Sequence, residues 1–241
     1  MPNIFLLPSF SFCEVIRANQ RSNHGVTVET KPPYSFKAPE LTGYDGKPVE
    51  IPDALAERLR RHATDEGPIG ETFFNEIGFS LSKSLIACSL RLEAEMVEKA
   101  IVLSNDGKQE VEKSGNRDRV SVEARLLNDA HLIHNHPEGT PLSDSDIQAL
   151  YETQLSSVWA VGNKWLYGAE IGPKGLSASS LADFTMTRTF LTQAAFAVVS
   201  DLFRNDASIS EDSLETRHLH AVLCELAEAG FIRYCRVRYG A

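Results

Sequence analysis

The chain has 241 residues, 42% of them hydrophobic, enough to fill a packed interior and longer than one typical domain. Its 24 basic residues are outnumbered by 33 acidic ones, for a formal charge of −9. It therefore lacks the basic footprint that binding a phosphate backbone requires, and no nucleic-acid partner is expected. No run approaches about 18 uninterrupted apolar residues, so no membrane-spanning helix is expected.

Residues 1–36 mix short apolar runs with a polar stretch from Asn19 to Gly25 and read as a partly flexible N-terminal segment. Met1 to Phe12 is apolar but has no Lys or Arg before Arg17, unlike the charged start of a secretory signal. The four cysteines, Cys13, Cys88, Cys224 and Cys235, show no metal-type spacing and read as free thiols of a soluble, cytoplasmic protein. Lys31-Pro32-Pro33 interrupts the strand-like Val26 to Glu29, and Tyr44 to Pro48 makes a turn. Residues 37–92 read as a helical N-terminal extension. In it, Pro52-Asp53 opens a helix over Ala54 to Thr64, with Leu55 and Leu59 on one face, and Phe73 to Leu92 becomes helical toward its end.

A strand is expected over Met96 to Leu103, followed by a hairpin turn at Ser104 to Lys108. Farther on, Ala130-His131-Leu132-Ile133 reads as a short buried strand that places His134 and His136 at i and i+2, on one face of its end. Pro137 and Gly139 break the strand, and Ser143 caps a helix beginning near Asp144. Asp146 then falls in the helix's first turn, where the peptide dipoles favour a carboxylate. Two neutral imidazoles and one carboxylate can ligate zinc and leave a fourth position for water, the catalytic rather than the structural arrangement. His131, an odd number of residues from His134, points to the opposite face.

After the motif, Ile147 to Leu155 continues the helix, Ser157 to Gly162 is a strand, Asn163-Lys164 a turn and Trp165 to Glu170 a second strand. Residues 173–241 read as a C-terminal helical extension ending in a strand. It comprises a linker over Lys174 to Ser180, helices over Ala182 to Phe203 and Asp212 to Ala229 with a polar stretch from Arg204 to Glu211 between them, and a final strand from Phe231 to Tyr239. Arg233, Arg236 and Arg238 mark that strand as a protected sheet edge or a small basic contact surface. His218-Leu219-His220 lies in a helix, where i and i+2 diverge by about 200° and cannot share a metal. His24 and His62 are isolated and carry no assignment.

At Glu98, His134-Asn135-His136-Pro137 and Ser143-Asp144-Ser145-Asp146, the chain resembles the JAMM (JAB/MPN-plus) zinc metalloprotease family, above all its bacterial branch of RadC-type and JAB-like domains. The resemblance covers roughly residues 93–172. It implies an α/β fold with a mixed, cytidine-deaminase-like sheet flanked by helices, carrying the helical extensions on either side. It also implies one zinc ion per chain on His134, His136 and Asp146, Glu98 as general base, and Ser143 as donor to the oxyanion of a tetrahedral intermediate. Glu93 and Glu95 compete for the role of Glu98, although a shift of one strand position turns a side chain to the other face. The implied substrate is a protein or peptide, including a ubiquitin-like protein in isopeptide linkage. One departure is that six residues, Pro137 to Leu142, separate the second His from the Ser, where the family has seven. The alternatives are a non-catalytic interaction protein on the same fold and a RadC-like genome-maintenance protein.

Overall fold

Strands β1 (Lys99–Leu103), β2 (Gln109–Ser114), β3 (His131–Asn135), β4 (Ser157–Gly162), β5 (Trp165–Ile171) and β6 (Ile232–Arg238) form one sheet in the spatial order β2-β1-β3-β4-β5-β6. Only β3 and β4 pair in parallel, so the sheet is mixed. The helices are α1 (Asp53–Thr64), α2 (Glu71–Glu76), α3 (Phe79–Leu92), α4 (Asp144–Glu152), α5 (Ala178–Asn205) and α6 (Leu214–Glu228). The computed structural model describes residues 50–117, 120–175, 178–205 and 213–239. The expectations for residues 1–36, the Tyr44 to Pro48 turn, Cys13, the polar residues 206–211 and the helix start at Asp212 lie outside the described residues.

The sheet is covered on both faces, and its central strands are buried at nearly every position, with β1 and β4 mostly apolar and β3 carrying polar side chains at three of five positions. On one face Ile101, Leu103, Ile133, Trp159, Leu166 and Cys235 pack against Phe73, Leu81, Leu85, Cys88 and Leu92 of α2 and α3. Trp159 is fully buried and stacks on Phe73 at 5.6 Å. Gly168, its partner on β5, leaves room for the indole, since a Cβ there would come within 2.1 Å of the ring. The other face carries His134, Ala160, Tyr167 and Arg236 in one register row. There α6 meets the sheet through His220, whose Nδ1 lies 3.0 Å from the Tyr234 hydroxyl.

The segments flanking residues 93–172 belong to the same core. α3 supplies a large share of one apolar layer, and β6 pairs with β5 over its whole length. The β4–β5 turn is as expected, with Asn163 and Lys164 both left-handed at φ 51° and 64°. β6 is an edge strand, and Ile69 exchanges two backbone hydrogen bonds with Arg236 on its outer side. Its Arg233 pairs with Glu170 at 2.7 Å. Helix α5 starts at Ala178, inside the stretch expected to be a linker. No helix among the described residues is long and apolar enough to cross a membrane.

Three buried histidines tie stability to pH. Burial depresses His131 and His218, and His220 falls to about 3 because of burial and the charges of Arg236 and His62. The fold holds them neutral, whereas the unfolded chain takes up protons below about 6.5. Their contribution is therefore present above 6.5 and is lost as pH falls from there toward 3. Unfolding free energy measured by denaturant titration should drop across that window, on the order of a few kcal/mol in total, and the slope should flatten in His220→Gln.

Candidate metal centre

The site forms where β3 ends. His134 is the penultimate residue of the strand and His136 lies just past it, still held to the sheet by its N–H, which donates to the Val161 carbonyl at 2.9 Å. Both rings emerge on the same face, and their Nε2 atoms are 2.9 Å apart. Gly139, left-handed at φ 77°, turns the chain back, its N–H donating to the His136 carbonyl at 2.8 Å. A Cβ at Gly139 would strike the Asn163 amide, and one at Gly162 would lie 2.6 Å from the Gly139 Cα. The six-residue loop thus rests directly on β4 and its turn.

The chain then enters α4 through a capping box. Ser143 donates its backbone N–H to Asp146 Oδ2 at 2.7 Å and its hydroxyl to the same oxygen at 2.8 Å, and the Asp146 N–H donates back to the hydroxyl at 3.3 Å. This locks the carboxylate and turns Oδ1 toward His134 Nε2 at 3.2 Å, while His136 Nε2 is 3.5 Å from Oδ2. Asp146 sits well below the usual carboxylate range. Burial alone would raise it, but the two imidazoles outweigh burial by charge and hydrogen bonding. Burial also works against protonation of His136, yet Asp146, Glu98 and the Thr140 carbonyl raise it to about 9. That carbonyl lies 3.0 Å from His136 Nδ1, so Nδ1–H donates to it and Nε2 is the atom turned toward the cluster.

These donors fit a zinc ion. Zinc–nitrogen bonds of about 2.0–2.1 Å in tetrahedral geometry put neighbouring donors about 3.3 Å apart, close to the spacings here. His134, His136 and Asp146 offer ligand atoms mutually within 4.8 Å. Among the described residues, His134 Nδ1 is buried without a hydrogen-bond partner, so the ring's polar contacts run through Nε2 alone.

Glu98 immediately precedes β1. Ala100 lies opposite His134, and continuing that antiparallel register by two residues puts Glu98 opposite His136, on the same face. Burial pushes its carboxyl above the usual range and Asp146 adds to this, while the two histidines and the Val120 N–H act the other way. Of its competitors, Glu95 is turned to Lys99 Nζ at 2.6 Å, and Glu93 caps the end of α3.

Of the residues expected at the site, Glu98, His134, His136 and Asp146 come together. Ser143 is beside them, but its hydroxyl hydrogen is directed at Asp146, so in this geometry it orients a carboxylate rather than facing an incoming substrate. Sequence reasoning missed Asn135. It is 2% exposed, turned to the face opposite the histidines, where its Oδ1 accepts the Lys99 N–H at 2.8 Å and its Nδ2 donates to the Glu95 and Val97 carbonyls at 3.2 and 3.0 Å. The signal was an amide side chain inside a strand, where an unpartnered one is costly.

A second group, His62 with Glu225 and Glu228, also clusters. Arg58 forks onto Glu225 at 2.9 Å through both Nε and Nη2, and Arg61 reaches Glu228 at 3.3 Å, so guanidiniums already balance these carboxylates. His131 faces Ser157 at 2.6 Å, and His218 reaches the Thr192 carbonyl at 2.9 Å, far from any shared ligand with His220. No family model matches the chain, and neither a curated protein nor a solved structure matches it.

Removing the Asn135 amide leaves one N–H and two carbonyls short of partners. Asn135→Ala should destabilise the protein by about 2–3 kcal/mol, lowering the thermal midpoint by roughly 5–10 °C in a melting experiment.

Proposed function

We propose that this chain is a JAMM-type zinc-dependent peptidase or isopeptidase. The observation that carries the reading is the convergence of His134 Nε2, His136 Nε2 and Asp146 on one point, with Glu98 opposite them on the same face of the sheet. His134, His136 and Asp146 would hold the metal. Bound there, zinc supplies a Lewis acid that makes water acidic enough to act as a nucleophile near neutral pH. Glu98 takes the water proton on its carboxylate and later passes it to the leaving amine, the work of a general base that then acts as acid. Ser143 and the α4 capping box keep Asp146 in one orientation, and Thr140 fixes the tautomer of His136, the kind of outer support that sets a ligand's aim.

The mixed sheet with helices on both faces accommodates the cytidine-deaminase-like arrangement the reading requires. The substrate class that follows is an amide in a peptide or protein, including an isopeptide to a ubiquitin-like protein. Cys88, Cys224 and Cys235 are buried free thiols, which supports a reducing, cytoplasmic setting.

Metal analysis of the natively purified protein should return about one zinc per chain, and His136→Ala should lose it. Glu98→Gln should keep the metal while hydrolysis of linked ubiquitin-like proteins and short peptides falls about 10²–10⁴-fold. A native preparation without metal, or a Glu98→Gln variant as active as the parent, would overturn the reading.

A further inference from the structure

A cleft opens beside the metal loop, between the β4–β5 turn, the end of β6 and the first turn of α6, bordered by Gly139, Asn163, Trp165, Arg217, Arg236 and Arg238. Sheet register places it relative to the metal centre. Gly162 pairs with Trp165 and Trp165 with Arg238, while Ala160 pairs with Tyr167 and Tyr167 with Arg236. His134 pairs with Ala160, so His134, Ala160, Tyr167 and Arg236 form one row across the sheet. One step further along the strands, His136, Gly162, Trp165 and Arg238 form the next. Strands about 4.8 Å apart put Trp165 roughly 10 Å and Arg238 roughly 14 Å from His136, on the same face and at the same end of the sheet. The loop that carries Gly139 crosses Gly162 between them, so it walls both the metal centre and the cleft.

The charges in the cleft are not equivalent. Arg217 is committed to the Ala63 carbonyl at 2.7 Å and to Glu66 at 3.2 Å. Arg236 is 6% exposed and donates to the Gly67 and Asp65 carbonyls, with Asp65 Oδ1 at 3.6 Å. Arg238 is exposed and lies over the Trp165 ring at 4.6 Å, and among the described residues no carboxylate pairs with it. Arg236 also stacks on Trp165, at 5.0 Å. Stacking leaves the guanidinium edge of Arg238 free for a planar acceptor. Among the described residues lining the cleft, Arg217 and Arg236 are balanced by Glu66 and Asp65, and the Arg238 guanidinium is left as one net positive charge. That balance suits a single carboxylate and disfavours a dianionic phosphate.

We infer that this cleft binds a carboxylate of a peptide chain, with Arg238 as the receiving fork and Trp165 as the platform. If that chain is the substrate, an extended backbone rising about 3.3 Å per residue places the acidic side chain roughly three to four residues from the bond at the metal centre. This last clause rests on the hydrolase reading, whereas carboxylate binding does not.

Titration calorimetry of Glu98→Gln with short acetylated, amidated peptides carrying a central Glu or its Gln counterpart tests the inference. The Glu peptide should bind about tenfold more tightly than the Gln peptide. The contrast should shrink with added salt and vanish in Arg238→Gln, whose exposed side chain gives up only its stack on Trp165. Equal binding of the two peptides, or a contrast that survives Arg238→Gln, overturns the inference. So does inorganic phosphate that displaces the Glu peptide at or below its own concentration. Repeating the titration on metal-stripped wild type separates the two readings. A contrast there, in a protein that shows no hydrolysis once zinc is restored, sinks only the hydrolase reading; a zinc-dependent hydrolase with no contrast sinks only the cleft.

Discussion

The parallel pairing of β3 with β4 is the constraint from which the candidate centre follows. Two antiparallel neighbours can be joined by a tight turn, but a parallel pair needs a connection that travels back along the sheet. Here the loop after His136 and helix α4 make that return, and the helix begins directly above the end of β3. A side chain in the helix's first turn is thereby delivered to the strand's last side chains. The carboxyl ends of parallel strands, next to a helix N-terminus, are where α/β sheets most often gather ligands. β1 completes the arrangement from the other side, since its antiparallel register with β3 is what brings Glu98 level with His136.

The price of such a site is electrostatic. His134 and His136 have side chains 4% and 9% exposed and Asp146 14%, so three ionisable groups are gathered in one desolvated place. Burying charge is unfavourable unless the geometry answers every polar atom. The capping box answers Asp146 and the Thr140 carbonyl answers His136, which leaves the Nε2 side of the cluster as the place where charge is concentrated. The ion-pair group around Glu225 shows the opposite solution, with two arginines and a histidine saturating the acids. One cluster is arranged to hold the fold, and the other leaves its donors converging on a shared point.

Local signals in the sequence carried much of this. The His-x-His spacing at the end of an apolar run, the Ser143 cap and the Asn163-Lys164 turn each depend on residues within a few positions of one another, and each is found where the pattern puts it. Helices α1, α5 and α6 follow their apolar periods to within a few residues at the ends. The long-range pairings were not legible. The chain from Phe231 onward reads as an edge strand, but its partner β5 ends some sixty residues earlier, and nothing local says that they join. For the same reason the segments on either side of residues 93–172 looked like additions, although α3 and β6 complete the layers. Asn135 carries no assignment in the sequence because its backbone partners, Glu95, Val97 and Lys99, are close only after β1 and β3 pair. The resemblance assigns the Ser143 hydroxyl to an oxyanion, whereas its hydrogen bond to Asp146 becomes visible only once the capping box has formed.

The contact between Gly139 and Gly162 is two stretches of main chain touching with no side chain between them. Such a seam has no cushion: a rotamer cannot relax to absorb a displacement, so a movement of the β4–β5 hairpin is handed on to the histidine loop as a rigid lever would hand it on. The short loop is therefore not slack to be tightened by metal but a span already braced at its midpoint. Its precision is borrowed from a hairpin that itself carries none of the clustered histidines or Asp146.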